Sequence, residues 1–178
     1  LAACGNAGAT RTVGVTATRW ETAVVRTAMP LLVVDSAVVR SELPNAVGDL
    51  FRNLPGVDVT GVGASQVRLM IRGQRGQRIL LAEDGMRLNN ARRQSDFGEL
   101  SSLTDLNTLA RVEVLRGPAS VLYGTDAIGG VVNQLTLGVP ALGRDGISGT
   151  SFYRRNAADS QDAAHLRWNL PLSEGELA

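Results

Sequence analysis

The run Arg111-Val112-Glu113-Val114-Leu115-Arg116 meets Gly117-Pro118 without a spacer, and this junction constrains the chain more than any other feature. Residues 111–115 read as a strand. Proline has no backbone N–H and a fixed φ, so the strand cannot continue through residue 118. Residues 119–123 have room for one helical turn, and residues 129–135 resume as an apolar strand. A fold that accepts this segment must let two strands flank a tight break.

The residues upstream repeat the theme. Val67, Leu69 and Ile71 alternate with Arg68, Met70 and Arg72, which predicts a strand over residues 67–72 with one buried face. Residues 78–83 predict the next strand, and Asp84-Gly85 is a dipeptide that permits a tight turn at positive φ. Leu31-Leu32-Val33-Val34 is a short apolar run suited to a buried strand. Ser41 or Asn45 can cap a helix through Leu54, with Val47, Leu50, Phe51 and Leu54 on one face, ended by Pro55-Gly56. Val57 and Val59 begin another strand. Residues 89–100 carry no repeating pattern and read as a loop. Leu103, Leu106, Leu109 and Ala110 predict a short helix. Alternation of strands with short helices gives an α/β (α+β) expectation: a small mixed β-sheet.

Composition narrows the function. An apolar fraction of 44% with 20% charged residues allows a core, and 20 glycines against 4% aromatics favour a turn-rich fold over a helical bundle. A net charge of +1 supplies no field to draw in nucleic acid. The 18 basic residues are all arginine, whose planar fork stays charged when buried. A single cysteine, Cys4, excludes an internal disulfide framework and a thiolate zinc site. Leu1-Ala2-Ala3-Cys4 reads either as the end of a lipoprotein signal or as a small-residue remnant. No apolar run approaches the ~20 residues of a membrane helix.

The two ends differ from the middle. Residues 1–18 are small, polar and Gly-rich, and read as a flexible leader in which residues 11–17 alternate enough to pair as an edge strand. After Pro140, residues 146–154 and 165–172 alternate around the polar stretch 156–160. Leu166, Trp168 and Leu170 share one face, a pattern common to membrane-barrel strands and to soluble hairpins.

Residues 111–124 together with Ala127-Ile128-Gly129-Gly130-Val131-Val132-Asn133 resemble the signature of the plug domain of TonB-dependent outer-membrane receptors. Ile71-Arg72-Gly73, the string Asp84-Gly85-Met86-Arg87-Leu88-Asn89, and residues 44–57 match the family's earlier motifs in order. The resemblance covers roughly residues 10–140. The motif positions it carries over are Gly73, Asp84, Gly85, Glu113, Gly117, Pro118, Tyr123, Gly124, Gly129 and Gly130. It implies a leader over residues 1–18, a plug over 19–140 and the first barrel strands over 141–178.

The resemblance also implies roles. Arg72 and Arg116 match arginines that face glutamates on the inner barrel wall, where a guanidinium–carboxylate pair holds reversibly. Thr12, Val13, Gly14, Val15, Thr16 and Ala17 resemble the TonB box, which a periplasmic energy-coupling protein captures as an added strand; Gly14 replaces the usual branched residue. Gln74, Arg75, Gln77, Arg92, Arg93, Gln94 and Phe97 match loops that touch the transported ligand. Such groups suit an anionic, oxygen-rich metal chelate such as a ferric siderophore, or haem propionates, while leaving cobalamin and sugars open. The expected setting is the outer membrane, with the plug in a barrel lumen and the leader in the periplasm. The residues after Thr136 hold about two or three barrel strands, and the smallest barrel needs about eight. The barrel is then on a longer chain or on a second one.

Other functional classes have less to stand on. Gly73-Gln74-Arg75-Gly76-Gln77-Arg78 lacks aromatic interleaving and a following Lys-Ser/Thr, so it is a poor nucleic-acid or phosphate segment. His165, the single histidine, lies in a strand pattern and makes a poor general base, and no enzyme or cofactor is expected. Glu83, Asp84, Asp96 and Glu99 match no calcium-loop spacing, and no metal site is expected. The alternative of a different class is a barrel-less, plug-like periplasmic binding or docking module.

Overall fold

A computed structural model describes residues 14–15, 22–23, 29–42, 44, 47–61, 66–88, 104–138, 148–156 and 160–169. In chain order its strands and α-helices are β1 (Gly14–Val15), β2 (Thr22–Ala23), β3 (Leu31–Asp35), α1 (Ser36–Glu42), β4 (Val57–Gly61), β5 (Val67–Ile71), β6 (Gln74–Arg75), β7 (Ile79–Glu83), β8 (Met86–Arg87), β9 (Leu109–Arg116), α2 (Ser120–Tyr123), β10 (Gly130–Thr136), β11 (Ser148–Asn156) and β12 (Gln161–Asn169). The chain divides into two compact units, one ending at Leu137 and the other beginning at Gly138.

The first unit is built on a five-stranded sheet in the order β3-β9-β10-β7-β8. The β7–β10 pair is parallel and the other pairs are antiparallel, so the sheet is mixed as expected. Pleating sends alternate residues to opposite faces. Leu32, Val34, Leu81, Val112, Val114 and Val132 line one face, where they pack with Val47, Leu50, Phe51, Val57, Leu69 and Ile71. Leu31, Leu80, Leu115 and Val131 line the other, against Ala119, Tyr123 and Ala127. The smaller sheet β4-β5-β6 closes the first core through its inward row, in which Val67, Leu69 and Ile71 are buried while Arg68 and Met70 are half-exposed.

Two helical expectations are corrected. In place of one helix from a Ser41 or Asn45 cap through Leu54, the chain forms α1, breaks at Pro44, and makes a 3-10 turn over Val47–Phe51. Ser41 lies inside α1 and its hydroxyl donates back to Val38 O at 3.0 Å. Proline disfavours helix in the residue before it, so α1 cannot run on. Val47, Leu50 and Phe51 are nevertheless all buried. The expected helix near Leu106 shrinks to the 3-10 turn Leu106–Thr108, because Leu109 already pairs with Thr136 in the sheet. Asp105 caps this turn, its carboxylate accepting from Asn107 N at 3.0 Å.

The expected strand over residues 67–72 stops one residue early. Arg72 adopts φ 50° and Gly73 φ 77°, which turns β5 into β6 within two residues. Left-handed backbone at both central positions matches the twist of a hairpin, and glycine accepts it at no steric cost.

Gln134 breaks the apolar pattern. It has no exposed surface, and neither its amide nitrogen nor its amide oxygen has a partner among the described residues. Leaving such a group buried costs about 1–3 kcal/mol. Gln134→Met conserves volume and removes the orphaned amide, so it is expected to raise unfolding stability by about 1–2 kcal/mol in urea. A loss of stability instead would show that the amide is satisfied in solution.

The second unit is the hairpin β11–β12, paired from Ser148↔Asn169 to Asn156↔Gln161. Tyr153, Leu166 and Trp168 lie on one face and are all more than half exposed. On the other face Phe152 stacks on His165 with ring centroids 5.5 Å apart. Leu170 lies outside the described residues.

Candidate functional site

The site forms where the β5–β6 turn, the end of β9 and the start of β10 meet. Arg116 is the last residue of β9. Its backbone N–H donates to Pro30 O at 3.0 Å, and its Nη1 donates to Pro55 O at 2.6 Å. That bond spans 61 residues and ties the turn before β4 to the main sheet. Nη1 also lies 3.1 Å from where a Cβ on Gly56 would stand, so Gly56 leaves the guanidinium its room. The Nε of Arg116 is buried and has no partner among the described residues. Arg72 reaches over from its turn, its Nη1 3.9 Å from a Cβ placed on Gly117. The two arginines therefore flank the Gly117 peptide.

Neither arginine has an acidic partner among the described residues. Among the described residues, the ion pairs of the first unit use other arginines: Arg52 with Asp49, Arg87 with Asp126 and Arg111 with Glu113. The half-buried Arg116 guanidinium, with its Nε–H idle among the described residues, loses hydration there without compensation. The arrangement is suited to accept carboxylates supplied from outside this segment.

Glycines make the close packing around the site possible. A Cβ on Gly129 would fall 2.5 Å from Gln74 Cβ, and one on Gly130 would fall 2.5 Å from Leu115 O and 2.8 Å from Ile71 Cδ1. Gly117 N donates to Gly129 O at 3.0 Å, and Gly129 N donates to Arg78 O at 2.7 Å. At the opposite end of β10, Asp84 (φ 49°) and Gly85 (φ 78°) turn β7 into β8. The Asp84 carboxylate accepts from Thr136 N at 2.9 Å and Thr136 Oγ1 at 2.6 Å, while Gly85 N donates to Asn133 Oδ1 at 3.0 Å. Glu113 is buried and accepts from Arg111 Nε at 2.8 Å. Tyr123 is buried on the second face, Pro118 is exposed, and Gly124 ends α2 at φ 81°.

The residues expected to contact ligand divide. Gln74 and Arg75 form β6 and Gln77 sits in the following 3-10 turn; Arg75 and Gln77 are exposed. Gln74 is drawn inward, its stem against Gly129 and its Oε1 accepting from Arg78 Nη1 at 3.1 Å. Arg92, Arg93, Gln94 and Phe97 lie outside the described residues, as does Cys4. Of residues 12–17 only Gly14 and Val15 are described, paired antiparallel with Ala23 and Thr22. Arg87 and Asn133, quoted only as members of motif strings, and Asp126, which stood in none, join these contacts without a role assigned from sequence. Arg87 follows the Asp84-Gly85 turn, which is a signal, but nothing local links it to Asp126.

Solved structures share this fold. The chain is similar to FpvAI in its complex with pyocin S2, with TM-score 0.73 and 22% identity over 89% of this chain and 20% of that one. It is similar to the ferric enterobactin receptor PfeA of Pseudomonas aeruginosa, with TM-score 0.62 and 24% identity over 84% of this chain and 23% of that one. The copper transporter OprC gives TM-score 0.62 and 20% identity over 78% and 21% of the two chains. The chain thus spans about a fifth of the length of these relatives. The TonB-dependent receptor plug domain family matches residues 23–131, which is more than half of the sequence. With its mixed sheet and this match over more than half of its length, the chain belongs to the TonB-dependent receptor plug family.

Proposed function

We propose that this chain is the plug of an outer-membrane receptor, closing the lumen of a β-barrel and gating energy-coupled uptake of a scarce nutrient. The observation that carries the reading is that Arg72, which reaches Gly117, and Arg116, the residue before it, have no acidic partner among the described residues. Acids on an inner barrel wall would complete them. Residues 19–140 make up the plug in this reading. Residues 141–178 begin the barrel, with the exposed face of β11–β12 carrying Tyr153, Leu166 and Trp168 toward lipid. The rest of the barrel is on the same, longer chain or on a second chain.

The leader reaches the periplasm, where residues 12–17 add as a strand to a TonB-type coupling protein through main-chain hydrogen bonds. The substrate is a metal chelate or a similar small molecule. Gln74, Arg75, Gln77 and the stretch holding Arg92, Arg93, Gln94 and Phe97 supply cationic and amide contacts to its oxygens. Relatives that bind ferric enterobactin or carry copper support a metal-linked cargo. The chain acts as a receptor component with no catalytic step.

Photo-crosslinking in intact cell envelopes tests this reading, with the reactive residue placed at position 116. The expected product joins position 116 to a β-barrel segment of the outer membrane. A crosslink within one longer chain and a crosslink to a separate barrel both support the plug. Crosslinking only to a soluble periplasmic protein would overturn it in favour of a barrel-less docking module.

A further inference from the structure

Arg87 makes more directional contacts than any role in its own two-residue strand requires. Nη1 donates to Asp126 Oδ2 at 2.7 Å and Thr125 Oγ1 at 3.4 Å, and Nη2 donates to Tyr123 O at 2.9 Å and Thr125 O at 2.7 Å. The turn it grips is held away from relaxed backbone, with Gly124 at φ 81° and Asp126 at φ 75°. A non-glycine residue at that φ persists only where its surroundings enforce it. The same stretch of chain continues directly to Gly129, which sits against Gln74 Cβ and donates to Arg78 O. One segment therefore touches the β7–β8 hairpin at its start and the β5–β6 turn region at its end.

We propose that residues 123–130 form a mechanical junction that couples the turn region 74–78 to the hairpin 84–88, with Arg87 as its positioning residue. Little slack separates the two contacts. Ala119 N donates to Ala127 O at 2.8 Å and Gly117 N to Gly129 O at 3.0 Å, which fasten the junction along its length. The absence of a side chain at Gly129 and Gly130 lets neighbouring backbone and Gln74 close on it, so a shift at one end is carried to the other. Coupling of this kind is reciprocal: whatever loosens the Arg87 end loosens the Gln74 end, and the reverse. The coupling stands on geometry alone. Its use, letting contact at residues 74–77 be felt by the stretch that follows Arg87, rests on the receptor reading.

Amide hydrogen exchange by NMR on the full chain tests the proposal without barrel, substrate or coupling protein, so it stands or falls separately from the crosslinking result. Arg87→Lys keeps the charge and loses the fork. It is expected to speed exchange at Gly124 N–H, and also at Gly129 and Gly117 N–H, by about tenfold, while Val112, Val114 and Leu115 keep wild-type protection. Gly129→Ala, which drives a methyl into Gln74, is expected to speed exchange at Gly124 N–H reciprocally. If Arg87→Lys loosens Gly124 and leaves Gly129 and Gly117 unchanged, the junction does not couple the two turns. If every strand amide accelerates equally, Arg87 contributes only to global stability, and the proposal is likewise overturned. Should Gly129→Ala fail to fold, the Arg87→Lys comparison decides alone.

Discussion

In the assembled receptor, Arg116→Ala is expected to loosen the plug and raise outer-membrane permeability to small solutes and antibiotics, more than Arg72→Ala does. The difference follows from burial. Arg116 is half-buried, bonded to Pro55 O, and has its Nε out of solvent, whereas Arg72 is exposed on its turn. Removing one partner of a buried ion pair costs about 3–5 kcal/mol, because the other charge is left uncompensated. An exposed pair is worth about 0–1 kcal/mol. On the proposed reading, a barrel pair at Arg116 would lie between these limits and one at Arg72 near the lower one. Arg116→Ala also cuts the tie to the turn before β4, so part of its effect acts within the plug. Lysine at either position should restore tightness only partly, since it keeps the charge and loses the bidentate fork. Antibiotic susceptibility and uptake of a small chromogenic solute are the readouts. Unchanged permeability and transport in both alanine variants would remove the barrel-locking role.

Gly130→Val is expected to be strongly destabilising, costing about 3 kcal/mol or more. The first carbon of its side chain would meet Leu115 O at 2.5 Å and Ile71 Cδ1 at 2.8 Å. The oxygen belongs to the β9 ladder, where Val131 pairs with Leu115, and Ile71 is fully buried between the sheets. Neither can give way without opening the core, and a domain of this size has only about 5–15 kcal/mol in total. Gly73→Ala makes an informative contrast. Its Cβ would meet nothing within 4 Å, so only φ 77° opposes it, at about 1–2 kcal/mol. Urea unfolding of the two variants separates steric from conformational cost. A loss for Gly130→Val no larger than for Gly73→Ala would contradict the packing described.

Those two glycines also mark how far local pattern reaches. The turn at Asp84-Gly85 was legible, because a dipeptide that tolerates positive φ acts on its immediate neighbours, whereas at Arg72-Gly73 the strand was carried one residue too far. The same holds for the alternation in β5, whose inward row is the one that Val67, Leu69 and Ile71 announce. Gly130 gives no such sign. Its need for a missing side chain arises from Leu115, fifteen residues away in sequence, and from Ile71, much further. The helices were read less well. Val47, Leu50 and Phe51 occupy a common buried face as the spacing predicts, yet the backbone tightens to a 3-10 turn. Gly48 is pressed against Val67 there, in a position where a side chain would collide.

By itself the sequence determined the central strands, their turns and the family motif, because periodicity, glycine and proline impose backbone geometry on the residues beside them. Only the tertiary structure decided which of these residues meet. It placed Arg72 beside Gly117, ran Arg116 to Pro55 across 61 residues, joined Arg87 to Asp126, and packed Gln74 on Gly129. Each contact depends on how the mixed sheet closes, with β10 inserted between antiparallel β9 and parallel β7. No local pattern encodes that closure, since it is settled by the shared burial of two cores rather than by any neighbouring pair of residues.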